Sequence, residues 1–308
     1  MGNVTARSYG GAGFTLSSPV TEIIATHSQR TSVRGLKKLD HIGRRDLLAS
    51  LDRLSKLKPS QTARLVIQNI PSQHVGLGTK SSLLLGSLAA TTLVARGIVS
   101  RQLPQKISGR GGASGVGVNA FFQGGFIADA GHDQKDCPTL GPSSGRTPGK
   151  IPPVVSRVNI PKRWVFYLLL PPGTPFSGQR ERKFFEQNTP VPRSEVLDTI
   201  ALLYHGVVPA VLGEDLALLK SSIGGLHEVG FKLRELRAQS EYARRLIAHF
   251  GNIESCAVGL SSMGPLVYVI ADESDRSFGL EVGRACNKFK ARLIETCKGR
   301  NRGFEVIE

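Results

Sequence analysis

Several functional classes are excluded by what these 308 residues lack. The four cysteines, Cys137, Cys256, Cys286 and Cys297, lie far apart, with no CxxC pair and no zinc-ligand spacing; reduced, structural thiols are the reading. HExxH is also missing, so no zinc-hydrolase helix is encoded. Aromatic residues make up only 6%, and no basic run is interleaved with them as a single-strand nucleic-acid surface would require. The amino terminus, MGNVTARSYGG, has no apolar core of signal-peptide length, and no run reads as the ~20 apolar residues of a membrane span. Ala6 stands where a myristoylation signal needs Ser or Thr. A cytoplasmic protein without membrane contact is therefore expected.

Hydrophobic residues are 40% and charged residues 21%, enough for a full core and two domains. The formal charge of +16 favours anionic partners without choosing between nucleic acid and small phosphates.

Leucines at 47, 48, 51, 54 and 57 predict an amphipathic helix over Arg44–Lys58. Thr62–Ile70 reads as a strand ending at Pro71, Ser82–Arg96 as a buried helix, and Ala120–Ile127 as a strand interrupted by two glycines. A proline- and glycine-rich stretch, Cys137–Pro153, marks a crossover, and the domain boundary is placed near residue 160. Beyond it Trp164–Leu170 is a strand. Helices follow around Arg193–Leu203, Asp215–Ser221 and Glu235–Phe250, then strands at Ser255–Gly259 and Leu266–Ala271, a helix over Leu280–Leu293, and a last strand at Gly303–Ile307. This is the ferredoxin-like order with extra helices, within an α+β fold.

Three glycine-rich loops carry the candidate chemistry. In the first, Gly76 and Gly78 remove side-chain bulk, Ser81 and Ser82 offer hydroxyls at a helix start, and Lys80 adds charge, which together suit an anion. It is not a Walker A loop, and an ordinary capped turn has similar composition. The second packs five glycines into nine residues, Gly109 to Gly117, a run whose entropic cost a close approach of backbone to ligand would explain. Arg110 is placed there for a bidentate phosphate contact, with Gly111, Gly112 and Ser114 beside it. Asp129, as a metal ligand or base orienter, and His132, as a proton carrier, follow; structural hydrogen bonding is the alternative for both. In the third, Ser261, Ser262 and Gly264 fit either a ligand loop or a hairpin turn. In Gly225–Arg234, His227, Glu228, Lys232 and Arg234 read as a solvated loop and helix start.

The stretches HVGLGTKSSLLLG, SGRGGASGVGVNAFFQGGFIADAGH and GLSSMGPLVYVI resemble the β-ribofuranosylaminobenzene 5′-phosphate synthases, members of the GHMP kinase superfamily. The middle stretch is the most specific, and similarity extends from about Tyr9 onward. The resemblance implies a ribosomal protein S5 domain 2-like domain over 1–160 and a ferredoxin-like domain over 161–308. It implies decarboxylating transfer of phosphoribose from phosphoribosyl pyrophosphate to 4-aminobenzoate or 4-hydroxybenzoate, in tetrahydromethanopterin biosynthesis, with magnesium as cofactor. Gly76, Gly78, Lys80, Ser81 and Ser82 would face phosphate, Arg110, Gly111, Gly112 and Ser114 would line the centre, and Ser261, Ser262 and Gly264 would close the site. Lys80, Arg110, Asp129 and His132 would be catalytic, with Asp129 also holding the metal. The family pattern has a strand with an Arg and an Asp ahead of the YGGAGF-like segment, whereas eight residues precede Tyr9 here, so loss of an edge strand is expected. The alternatives are an ATP-dependent kinase of the same superfamily, whose first loop reads closer to GLGSSAA, and a non-catalytic or nucleic-acid-binding paralogue. Nucleic acid is not the expected partner; a homodimer is the oligomeric state considered.

Overall fold

A computed structural model describes residues 7–99, 101–137, 139–143, 149–175 and 178–307. In the first half the elements are β1 (Arg7–Ser8), β2 (Gly11–Phe14), β3 (Glu22–His27), β4 (Ser32–Arg34), α1 (His41–Leu57), β5 (Ala63–Asn69), α2 (Thr79–Arg96), α3 (Gln102–Ser108), α4 (Val116–Gln123), β6 (Phe126–Asp129), β7 (His132–Asp133) and β8 (Val154–Val158). The strands form a β3-β5-β4 sheet, a β2-β6-β8 sheet and a short β1-β7 pair. Helix α1 buries Leu47, Leu51 and Leu54, a stripe at helical spacing, and is capped by Asp40, whose Oδ1 accepts the Gly43 N–H. Helix α2 is apolar nearly all round because it is enclosed by that sheet, α1, α3 and α4.

The second half comprises β9 (Trp164–Leu170), α5 (Gly178–Asn188), α6 (Arg193–Leu202), a π turn at Leu203–Val207 leading into α7 (Val208–Leu212), α8 (Leu216–Glu228), α9 (Gly230–Arg237), α10 (Glu241–Gly251), β10 (Cys256–Leu260), β11 (Val267–Asp272), α11 (Phe278–Lys288) and β12 (Arg292–Lys298). Its sheet runs β10-β11-β9-β12, antiparallel throughout, which is the ferredoxin-like arrangement. Residue 160 falls between β8 of one sheet and β9 of the other, and a single core cluster spans it, joining Phe126, Ala128 and Val158 to Trp164, Phe166 and Leu168.

Four expectations from the sequence are corrected. Ala120–Gln123 is helical, because Gly124 at φ 62° stops α4 before Phe126 opens β6. The helix read across Glu235–Phe250 is two, since Ser240 starts α10 by accepting the Ala243 N–H at 3.2 Å. The last strand is Arg292–Lys298; residues 299–304 instead return to the first half. There the Gly125 N–H donates to the Arg300 carbonyl at 2.7 Å, the Phe304 N–H donates to the Phe121 carbonyl at 2.8 Å, and the two rings stack with centroids 4.9 Å apart. Finally, the helical run Arg193–Leu212 is long and apolar enough by composition to cross a membrane. In this fold it packs on α8 and buries Val207, Ala210 and Val211 in the core. At the amino end, Arg7 and Ser8 pair with Asp133 and His132, so the residues before Tyr9 do supply a strand.

Candidate active site

The first loop turns through three left-handed residues, His74 (φ 60°), Gly76 (φ 104°) and Gly78 (φ 67°), before α2 begins. Gly78 caps the helix without a side chain, and the Ser81 and Ser82 N–H groups bond back to its carbonyl at 2.9 and 3.2 Å. The Thr79 and Lys80 N–H groups have no intrahelical acceptor, and the aligned peptide dipoles add positive potential there. A Cβ on Gly78 would meet nothing within 4 Å, so this end of the helix is open.

The third loop lies on the first, backbone to backbone. The Leu266 N–H donates to the Val75 carbonyl at 3.3 Å, and Ser261 Oγ donates to the Gly76 carbonyl at 2.8 Å. Only glycine fits at two points: a Cβ on Gly76 would sit 2.4 Å from the Ser261 carbonyl oxygen, and one on Gly264 would sit 2.1 Å from that of Val75. Ser262 is exposed at the tip, at φ 50°.

Ser81 is where the second loop meets the first. Arg110 Nε donates to Ser81 Oγ at 3.1 Å, and a Cβ on Gly117 would lie 3.3 Å from the same oxygen. Ser82 is turned aside, its hydroxyl bonded to Thr21 Oγ1 and to the Thr79 carbonyl. Gly111 and Gly112 are buried, and His132 Nε2 donates to the Gly111 carbonyl at 2.7 Å with Tyr9 edge-on to its ring.

Asp129 holds the second loop. Its Oδ2 accepts from Ser114 Oγ and from the Gly115 N–H, both at 3.0 Å, and its Oδ1 accepts from the Gly131 N–H at 2.8 Å. The residue is 2% exposed, and burial pushes its carboxyl up despite these donors. Both oxygens face loop donors, so Asp129 is a buried brace for Ser114 and Gly115, and the expected metal-ligand role would require it to give up one of these bonds. His132 braces Gly111 in the same way.

The charged groups at the loop mouth include two carboxylates that local sequence patterns do not single out. Lys80 Nζ pairs with Asp46 Oδ2, and Arg45 Nε donates to Asp46 Oδ1 at 3.0 Å. Burial raises the Asp46 carboxyl, but the hydrogen bond and charge of Lys80, then those of Arg45, bring it below the usual carboxylate range. Asp40 likewise pairs its Oδ2 with His74 Nε2. Arg110 differs from these. Burial presses its guanidinium below the ordinary value while the charges of Asp46 and Glu181 pull it back, and among the described residues no carboxylate is in ion-pair contact with it. A desolvated guanidinium without a paired anion, beside an open helix start, is arranged to receive one.

No group of three His, Cys, Asp or Glu among the described residues could hold a metal ion. Magnesium is commonly held by one or two carboxylates together with phosphate oxygens. Asp40, Asp46 and Asp129 are each engaged by cations or N–H donors.

No protein-family model matches the chain. It is 32% identical to the β-ribofuranosylphenol 5′-phosphate synthase of Archaeoglobus fulgidus, across 96% of this chain and 91% of that one. With the enzyme of the same name from Methanothermobacter thermautotrophicus it shares 30% identity across 97% and 92%. Among solved structures it superposes on homoserine kinase from Cytophaga hutchinsonii with a TM-score of 0.62 at 13% identity, covering 95% and 90% of the two chains. With mevalonate diphosphate decarboxylase from Staphylococcus aureus the TM-score is 0.63 at 12% identity, covering 99% and 91%. A further neighbour, at TM-score 0.62 and 15% identity over 97% and 90%, was solved in complex with AMPPCP and magnesium. These neighbours carry the GHMP kinase fold, as the sheets and their helices do here. With near end-to-end coverage at 32% identity, the chain belongs to the β-ribofuranosylphenol 5′-phosphate synthase family of enzymes, built on that fold.

Proposed function

We propose that the chain transfers phosphoribose from phosphoribosyl pyrophosphate to an aromatic acid, 4-hydroxybenzoate before 4-aminobenzoate, with release of pyrophosphate and carbon dioxide. The carrying observation is Arg110: partly buried, with no carboxylate in ion-pair contact with it among the described residues, and joined through Ser81 to the open start of α2. The phenolic acceptor follows the names of the relatives.

On this reading the pyrophosphate lies between the α2 start, Lys80 and Arg110, which neutralise charge building on it as it departs. Positive character is left at the anomeric carbon. The ring carbon bearing the carboxylate attacks it, forming the carbon–carbon bond, and the electron pair of the bond to the carboxylate returns to the ring as carbon dioxide leaves. The chain's part is alignment and charge stabilisation, with Gly76, Gly264 and Ser261 keeping the loops in register.

The test offers phosphoribosyl pyrophosphate with carboxyl-labelled 4-hydroxybenzoate or 4-aminobenzoate. Pyrophosphate and labelled carbon dioxide released in equal amounts support the reading. Neither product from either acid, with ADP formed from ATP and small alcohols instead, overturns it in favour of a kinase.

A further inference from the structure

Asp46 lies outside the buried stripe of α1 and is not needed to anchor the helix. The helix is anchored by Leu47, Leu51 and Leu54 and capped by Asp40. The Asp46 carboxylate contacts two cations at the loop mouth, Lys80 on Oδ2 and Arg45 on Oδ1, and lies within electrostatic reach of a third, Arg110. Asp46 and Lys80 are each less than a quarter exposed, so solvent screens this pair less than the helix-surface pair Lys56–Asp52, whose side chains are 74% and 58% exposed.

We infer that Asp46 is a positioning residue, and Arg45 a further polyphosphate-binding residue, of the transfer proposed above, on which this inference rests. Asp46 occupies the anion's place among the cations while the site is empty. It keeps the flexible Lys80 and Arg45 side chains folded toward the helix start, and it yields them to pyrophosphate oxygens when substrate enters. After transfer it competes with the departing pyrophosphate for the same cations, which speeds product release.

The experiment compares wild type, Asp46→Asn and Asp46→Glu by titration with inorganic pyrophosphate and by steady-state turnover. For Asp46→Asn, pyrophosphate is expected to bind about three- to tenfold more tightly, since one competing charge at contact distance is gone. Turnover is expected to fall at least about tenfold, because alignment is lost and release slows. Asp46→Glu returns pyrophosphate affinity to the wild-type value. Unchanged or weaker pyrophosphate binding by folded Asp46→Asn, or unchanged turnover, overturns the inference. The pyrophosphate titration needs no turnover, so a wild type that binds pyrophosphate but forms no product overturns the proposed activity instead.

Discussion

Ser261 Oγ donates a hydrogen bond to the carbonyl of Gly76, 185 positions earlier, at 2.8 Å. A residue between two strands of the second half thereby sets the shape of the loop that opens α2. The candidate site therefore draws on both halves.

That contact makes Gly76 the least replaceable residue of the first loop. Its φ of 104° and the 2.4 Å approach of an added Cβ to the Ser261 carbonyl oppose any side chain. Gly76→Ala is expected to cost on the order of 1–3 kcal/mol in strain and to lower turnover sharply. Ser261→Ala, which removes one hydrogen bond, costs about 1 kcal/mol. Thermal melts and kcat/KM for phosphoribosyl pyrophosphate, measured on both variants, check the ranking.

Arg110 is expected to act mainly in the transition state. Arg110→Ala should reduce kcat/KM by about 10²–10³-fold, as for loss of one preorganised charge donor. Arg110→Lys keeps the charge but loses the planar donor set that reaches Ser81 and should fall in between. Equal activity of the lysine variant and wild type would show that charge alone suffices.

His227 sets an acid limit on stability. Burial, helped by the charge of Lys232, lowers its pKa to about 4 from 6.5. The unfolded chain takes up a proton between those values and the folded chain does not. Its contribution is therefore full above pH 6.5 and is lost as pH falls toward 4, by up to about 3 kcal/mol. Urea denaturation at pH 4.5, 5.5 and 7 should show this slope in wild type, and a flatter one in His227→Gln.

What the sequence disclosed depends on how far apart the cooperating residues lie. The glycines and hydroxyls of each loop are neighbours in the chain, so the loops could be found, and the ferredoxin-like order followed from local patterns. Asp40 and Asp46 were hidden because they lie at the cap and on the face of α1, far upstream of His74 and Lys80 with which they pair. Asp129 was visible, but its bracing of the second loop was not. An Asp after a strand looks like a ligand until its burial and three donors are known. The stretch Gly303–Ile307 alternates like a strand, and only the distant Phe121 and Gly125 explain why it is not one.

The return of residues 299–304 to the turn after α4 bears on how the protein is made. Chain synthesis is vectorial, and domains that are contiguous in sequence can fold as they emerge. Here the amino-terminal part cannot close over Phe121 and Gly125 until the final stretch has left the ribosome. It must wait through the synthesis of the entire second half with that surface uncovered. An amino-terminal piece cut near residue 160 would expose the same surface permanently, so co-expression with a peptide carrying residues 299–304 should improve its solubility.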